Sequence, residues 1–278
     1  MQNLINSITE ASSLIQAVLF VLIFSALWNV ENLIGLTQNY QKWRHALRNS
    51  VFVPTNLPVT FVLGLAFAAV TRWTSEHQFG LVHWLPGLSN LAVIFAMSLV
   101  LLDLSEYGYH RVMHRYKLLW RLHLIHHSDH VVDVSTVLRE HPAETTVRLL
   151  NTLFWTFLLG VPVWCLVFRQ ILQVVFTVGT HSNLRLPGRV DRVLSWMLVT
   201  PNMHHVHHHF QQPYTDSNFG DILSVWDRLF GTFARLDAHE VMFGVDTCPV
   251  DAAQANGLAL LQLPFRPSET VAASTGSR

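Results

Sequence analysis

The chain has 278 residues, of which 50% are apolar and 13% charged, whereas an ordinary soluble domain carries about 25% charged residues. This composition argues against a typical water-soluble protein. Lysine plus arginine and aspartate plus glutamate each number 18, so the formal net charge is zero and we expect no nucleic-acid partner. Only two cysteines occur, so we expect neither a disulfide framework nor a cysteine-type zinc site.

Three apolar runs in the first part of the chain predict transmembrane helices. The run at 11–30 has no charge and is long enough to cross a hydrocarbon core of about 30 Å. The residues before it lack a basic segment, which favours an uncleaved anchor over a signal peptide. The second run covers 51–70, and the third covers 88–102 and continues toward the first histidines.

A fourth apolar stretch at 149–180 is too long for one ordinary crossing, and Gly160-Val-Pro162 interrupts it. We interpret it as a broken helical hairpin whose two ends lie on the same side of the membrane. The predicted organisation is therefore N-terminal transmembrane helices at 1–109, two histidine motifs at 110–148, the hairpin at 149–180, a third motif with a cap at 181–265, and a disordered tail at 266–278.

The positive charges predict how the chain lies across the membrane. The loop between the first two runs carries Lys42, Arg44 and Arg48, whereas the next loop offers only Arg72 against Glu76. Cytoplasmic loops are enriched in lysine and arginine, so the first loop is expected in the cytoplasm. Three crossings then return the chain to that side just before the histidine motifs.

The chain has 17 histidines, and many of them fall into three short motifs. HRVMH at 110–114 places two imidazoles one helical turn apart. HLIHH at 123–127 places three on one helical face, and positions 204, 207 and 208 of HHVHHH repeat that spacing while His205 and His209 rotate away.

These motifs predict two adjacent metal ions. One HxxxH pair is more often an ordinary surface feature than a metal site, but three such motifs in one membrane chain are not explained that way. Eight imidazoles exceed the ligands of a single tetrahedral zinc site, and no HExxH hydrolase motif is present. Imidazole suits Fe, Zn, Cu and Ni, and the lipid setting favours iron and O₂ chemistry.

The three motifs, together with TPNMHHVHHH at 200–209 and SNFGDILSVWDRLFGTF at 217–233, resemble the fatty acid hydroxylase superfamily, also called the sterol desaturase family. The resemblance covers roughly 25–265. It implies an all-α integral membrane protein with transmembrane helices and a cytoplasmic helical cap that carries a histidine-rich dimetal site. It implies these metal ligands: His110, His114, His123, His126, His127, His181, His204, His207 and His208.

Four further residues bear on the expected site. Some members of the superfamily have a histidine where this chain has Arg185, which leaves one coordination position to water or to His141. His141 precedes a proline and is expected on a loop, most simply as a partner of a ligand. Asn218 and Asp227 are candidates for the same role, although Asp227 could instead be a purely structural cap.

The resemblance implies an oxidoreductase with two iron ions that uses O₂ to hydroxylate an unactivated C–H bond of a lipid, either fatty acyl or sterol-like. Zinc could substitute for iron in purified protein. The chain has no nucleotide-binding or haem motif, so a separate electron-donor protein is expected. Desaturation by the same centre is an alternative, and a nonenzymatic metal-binding membrane protein is an alternative of another class.

Overall fold

The computed structural model describes residues 12–37, 39–246 and 256–265, so the tail predicted at 266–278 lies outside the described residues. Within the described residues the regular structure is helical, and extended pairing is limited to two isolated bridges. The expected all-helical fold is confirmed. The helices are α1 Ser12–Ile34, α2 Lys42–Ser50, α3 Phe52–Glu76, α4 Leu81–Trp84, α5 Leu91–Arg115, α6 Lys117–His127, α7 Pro142–Leu159, α8 Val163–Thr180, α9 Gly188–Leu194, α10 Pro201–His207, α11 Val225–Leu229 and α12 Gly257–Gln262.

Four stretches are long and apolar enough to cross a membrane, which indicates a membrane protein. They are Leu14–Ile34, Lys42–Trp84, Leu91–Arg115 and Val163–Thr180. Large apolar side chains on α3 stay exposed, including Leu57 at 61% and Phe61 at 68%. In water such a surface would be unfavourable, whereas lipid tails are as apolar as the side chains themselves.

The long apolar stretch after the second histidine motif is divided in two. Helix α7 ends at Leu159, and Gly160 follows in the left-handed conformation with φ of 66°. A Cβ at this position would lie 2.4 Å from the carbonyl oxygen of Phe79, so the turn also requires a residue without a side chain. Helix α8 then starts at Val163, after Pro162, and runs without a break to Thr180.

The apolar helices pack so that the polar segments gather at one end. Helix α1 packs on α8, while α3 and α5 both pack on α7. Helix α2 lies against the short 3₁₀ helix Val134–Leu138, which follows the second histidine motif. The positively charged loop and the histidine motifs therefore lie at the same end of the molecule.

Buried ionisable side chains tie these polar segments together. His45 of α2 contacts Asp129 at 2.8 Å through Nε2 and Asp133 at 3.0 Å through Nδ1. The guanidinium of Arg139 donates to the carbonyl of Ile125 at 2.7 Å and to the hydroxyl of Ser128 at 2.8 Å. Because these polar groups are buried, each bond avoids the cost of an unpaired buried polar atom.

Asp103 joins the third apolar helix to the segment that follows the last histidine motif. It is completely buried in α5. Its carboxylate accepts the backbone N–H groups of Ile222 at 3.0 Å and Leu223 at 3.1 Å, and the indole N–H of Trp226 at 2.8 Å. This one side chain connects the segment at 222–226 to α5.

The Asp103→Asn variant replaces a triple acceptor by an amide that can no longer accept all three bonds. Hydrogen bonds to a charged group contribute about 1.5–3 kcal/mol each, so we expect the variant to lose about 2 kcal/mol of stability. That corresponds to a melting temperature lower by roughly 4–8 °C in detergent. The exposed Glu76→Gln change is the control and should shift it little; equal melting temperatures for the two variants would contradict this account.

Candidate metal centre

Nine imidazoles converge in two groups at the polar end of the molecule. Within each group the potential ligand atoms all lie within 4.8 Å of one another. The first group consists of His110, His114, His123, His127 and His207. The second group consists of His126, His181, His204 and His208.

The two HxxHH motifs are each shared between the groups. In α6, His123 and His127 belong to the first group, whereas His126 faces the second. At the end of α10 the division is reversed, since His207 joins the first group and His208 the second. The sequence spacing predicts a common face for each motif, and the structure shows that this face lies between the two groups.

Backbone carbonyls orient several of the rings through Nδ1. His110 donates to the carbonyl of Phe219 at 3.0 Å, His207 to that of Ser217 at 2.7 Å, and His181 to that of Thr177 at 2.8 Å. A carbonyl oxygen can only accept, so Nδ1 carries the proton in these rings. The neutral ring then has a lone pair at Nε2, which is the arrangement a metal ligand needs.

Carboxylates orient two further rings of the first group. His114 Nδ1 lies 3.1 Å from Asp216, and His123 Nδ1 makes a short contact with Glu144. A histidine that donates to a carboxylate is a stronger ligand and has a fixed orientation. The sequence analysis did not find Glu144 or Asp216, because neither lies in a histidine motif.

The Nε2 atoms face one another across distances that hydrogen bonds do not explain. His110 and His123 both donate through Nδ1, yet their Nε2 atoms are 3.1 Å apart, so two lone pairs meet. In the second group, Nε2 of His181 is 2.9 Å from those of both His126 and His204. Two nitrogens that bind one metal at 2.0–2.1 Å with a right angle between them are roughly 2.9 Å apart. The donor set therefore fits a metal ion in each group.

Burial keeps these rings uncharged. Loss of solvation lowers the pKa of His123 to about 3 and that of His181 to about 4. It also holds the pKa of His127, His204 and His208 well below the usual value, and the neighbouring imidazoles add to the effect. Neutral imidazole is the form that coordinates metals. The Nε2 atoms of His114 and His207 are buried without a hydrogen-bond partner, as expected for atoms that coordinate a metal ion.

The other two histidines of the last motif have different partners. His205 contacts the carbonyl of Ser182 through Nε2 at 2.9 Å, and His209 accepts the backbone N–H of Met242 at 3.2 Å. Neither belongs to either group. This agrees with the expectation from helical spacing that both rotate away.

His141 and Asn218 stabilise the backbone around the centre. His141 caps α7 by accepting the N–H of Ala143, and its Nε2 lies 3.2 Å from the carbonyl of Leu261. Asn218 donates to the carbonyl of Met203, in α10, and pairs with the backbone of Ala234. None of these bonds goes to an imidazole of either group, so neither residue supplies a direct partner to a ligand there.

Asp227 contacts the backbone that holds a histidine of the first group, and not the histidine itself as the sequence analysis expects. Its carboxylate accepts the backbone N–H groups of Phe219 at 2.7 Å and Gly220 at 2.9 Å. The carbonyl of the same Phe219 accepts the proton of His110. Asp227 therefore fixes the backbone at Phe219, and Phe219 orients the ring of His110.

A cavity of about 110 Å³ touches both groups of imidazoles. His110 and His123 line it from the first group, and His126, His181 and His204 line it from the second. A second cavity, of about 480 Å³, is mainly apolar and lies between α1, α8 and α9. Thr180 lines both cavities. The larger apolar cavity therefore borders the smaller cavity beside the imidazoles at this residue.

The fatty acid hydroxylase family model matches residues 95–232, a range that contains all nine converging histidines. The chain carries a fatty acid hydroxylase domain. The match is narrower than the range of 25–265 expected from the sequence, since α1 to α4 precede it. The resemblance itself is confirmed.

Characterised relatives belong to lipid metabolism. The chain is 30% identical to alkylglycerol monooxygenase of Danio rerio over 59% of its length and 35% of that protein. It is 32% identical to an ornithine lipid hydroxylase of Rhizobium tropici over 54% of its length and 45% of that protein. It is 25% identical to lathosterol oxidase of Homo sapiens over 74% of its length and 67% of that protein. The chain thus matches less than half of the first two, and no solved structure matches it.

We expect purified chain to bind about two metal ions, one per group. The His204→Ala variant removes a ligand from the second group and should retain about one ion per chain, because the first group stays intact. His205→Ala is the matched control, since His205 lies on the same helix but its ring contacts the carbonyl of Ser182, and this variant should keep about two ions. Elemental analysis after gel filtration measures both; loss of metal from His205→Ala equal to that from His204→Ala would contradict the assignment.

Proposed function

We propose that this chain is an integral membrane monooxygenase that uses O₂ and two iron ions to hydroxylate an unactivated C–H bond of a lipid. The observation that carries the proposal is the cavity in contact with both groups of neutral imidazoles. The family match and the lipid hydroxylases among the relatives support it. Zinc could replace iron in purified protein, because imidazole binds both metals.

The two groups of imidazoles would hold the irons, which supply the redox chemistry that activates O₂. The reaction breaks one C–H bond and the O–O bond, places one oxygen atom in the lipid as a hydroxyl, and releases the other as water. It consumes two electrons and two protons for each O₂. The electrons are assigned to a separate electron-donor protein, because the sequence carries no flavin, haem or nucleotide motif.

The residues of the chain hold the site in its reactive geometry and exclude water. The carbonyl of Phe219 and the carboxylate of Glu144 fix the rings of His110 and His123. Rings oriented in this way need no rearrangement during the reaction, which is the usual advantage of a preorganised site. The apolar cavity beside α1 and α8 has the character to hold the tail of a lipid taken from the bilayer.

Two alternatives are less well supported. Desaturation needs the same centre and differs in the fate of the second hydrogen, so product analysis decides between the two outcomes. A nonenzymatic metal transporter would place its ligands at the middle of the spans. Here the ligands of α5, His110 and His114, lie near its end, and the other seven lie outside the four apolar stretches.

We further propose that the centre lies in a cap on the cytoplasmic side. Lys42, Arg44 and Arg48 favour the cytoplasm for the loop and helix that contain them. Helix α2, which carries these charges, packs against the segment after the second histidine motif. The domain organisation drawn from the sequence, with transmembrane helices at 1–109 and a membrane hairpin at 149–180, is part of the same proposal.

The function is tested by reconstituting the iron-loaded protein in lipid vesicles with a chemical reductant and ¹⁸O₂. We expect one ¹⁸O atom per lipid product. His207→Ala and His126→Ala, one from each group, should each lower turnover at least about a hundredfold because each disrupts one metal site. The His205→Ala control should keep most of the activity. A product with a new double bond and no ¹⁸O would establish the desaturase, and absence of any oxidised lipid would refute both.

The orientation is tested by thiol labelling in intact cells, in a Cys165→Ser, Cys248→Ser background. Glu76→Cys lies at the end of α3 away from the histidines, and Lys117→Cys lies beside them. An impermeant maleimide should label the first variant in intact cells and the second only after permeabilisation, because the two sites lie on opposite faces. The reverse pattern would place the centre outside the cytoplasm.

A further inference from the structure

The short helix α9, Gly188–Leu194, turns an apolar face to the outside of the molecule. The helical turn continues beyond Leu194, because the N–H of Leu198 donates to the Leu194 carbonyl at 2.9 Å. At 3.6 residues per turn, positions 190, 193, 194 and 197 fall within an arc of about 100°. These positions hold exposed large apolar side chains: Val190, Val193, Leu194 and Met197. An amphipathic helix normally packs this face against the protein, so the arrangement in α9 is reversed.

The polar side of α9 is the one that contacts the rest of the chain. The carboxylate of Asp191 accepts the hydroxyl of Thr200 at 2.6 Å. Ser195 is completely buried, and its carbonyl accepts the guanidinium of Arg228 and the hydroxyl of Ser224, both at 2.6 Å. These contacts fix the orientation of the helix. The outward direction of the apolar face is therefore built into the fold.

A tryptophan and two arginines flank the apolar face. Trp196 is 64% exposed, and Arg189 and Arg192 are exposed as well. Neither of these two arginines forms an ion pair within the part of the chain that the structure describes. Tryptophan is enriched where a membrane meets water, and arginine near a membrane surface attracts anionic lipid head groups. The flank therefore suits the head-group layer of a bilayer.

The position of α9 beside two apolar helices favours a lipid surface over a second protein chain. The neighbouring helices α1 and α8 are both long and apolar enough to cross a membrane. Ile34, at the end of α1, is 70% exposed. Residues of all three helices line the apolar cavity together: Leu27, Ile34, Val175, Phe176 and Leu194. The exposed face of α9 is thus continuous with a surface that already contacts lipid.

We propose that α9 lies in the head-group layer of the bilayer on the side of the metal centre, with its apolar face among the acyl chains and Arg189 and Arg192 against anionic phosphates. Helices of this kind enter the boundary between head groups and acyl chains by about 5–10 Å. The apolar cavity then opens to this leaflet at Leu194, so a lipid tail enters it without crossing water. The entry role rests on the proposed function, whereas the membrane contact does not.

The membrane contact is tested by fluorescence quenching of the full chain in vesicles of equal parts phosphatidylcholine and phosphatidylglycerol. Val193→Cys, in the Cys165→Ser, Cys248→Ser background, carries an NBD label. A lipid with a nitroxide close to the head group should remove most of its emission, and aqueous iodide should remove little, because the label lies at the depth expected for an interfacial helix. The exposed Asp237→Cys is the control and should show the opposite pattern.

Two results would overturn the membrane contact. Quenching of the label at 193 by iodide as strong as at 237 would place α9 in water. Resistance of the label at 193 to both quenchers would show that another protein surface, such as a second copy of the chain, covers the apolar face.

The role of the arginines is tested with the same label and two nitroxide lipids, one phosphatidylglycerol and one phosphatidylcholine. The anionic lipid should quench more strongly, and Arg189→Gln or Arg192→Gln should each lower its local excess about fivefold. Arg72→Gln, an exposed change at the other end of the molecule, is the control and should leave the excess as it is. Equal quenching by the two lipids before any substitution would overturn the assignment of anionic phosphates.

The entry role is tested with the iron-loaded protein and a lipid that it oxidises. Val193→Asp places a charge on the apolar face and should raise the apparent KM for that lipid roughly threefold or more, because a charge disfavours insertion among acyl chains. The kcat and metal content should change little, since Val193 belongs to neither group of imidazoles. Ala238→Asp, on the exposed surface of the same end of the chain, is the matched control.

The outcomes separate the entry role from the proposed function. An unchanged KM in Val193→Asp would overturn entry at α9 while leaving the lipid monooxygenase intact. Absence of any oxidised lipid with the unsubstituted protein would refute the proposed function and the entry role with it, whereas the quenching result would still decide the membrane contact.

Discussion

The structure depends on the convergence of nine uncharged imidazoles at the polar end of the molecule. The inward-facing nitrogens of these rings bring lone pairs together, and they cannot satisfy one another by hydrogen bonding. The outward-facing Nδ1 atoms of five rings contact carbonyls or carboxyl groups, including those of Thr177 and Glu144. A metal ion in each group would pair with the remaining lone pairs, as proposed above.

Buried carboxyl groups connect the segments that carry the histidines to the long apolar helices. The histidines come from separate segments that do not pack as one continuous helix pair, so other contacts must fix their relative positions. Asp103 fastens the segment at 222–226 to α5, and Asp227 fastens the turn at Phe219 that holds His110. On the opposite side, Asp129 and Asp133 hold α2 through His45. These links fix the polar segments against the long apolar helices and so fix the relative positions of the imidazoles.

Much of the fold and of the centre could be predicted from the sequence because both rest on local patterns. Apolar runs long enough for a membrane and histidines at helical spacing are visible in a short window, and Gly160 marks the break between α7 and α8. The division of each HxxHH motif between two groups could not be predicted, since it depends on which helices approach from each side. Glu144 and Asp221 could not be predicted for the same reason, because their hydrogen-bond partners are distant in sequence.

His126 and His127 are adjacent along the chain, yet they belong to different groups, with ring centroids 5.7 Å apart. One turn of α6 therefore contributes side chains to both groups. A rotation of α6 about its axis would pull one ring inward and push its neighbour outward, so neither centre can relax alone. Adjacent residues of one helix, joined by a planar peptide bond, therefore couple the positions of the two groups.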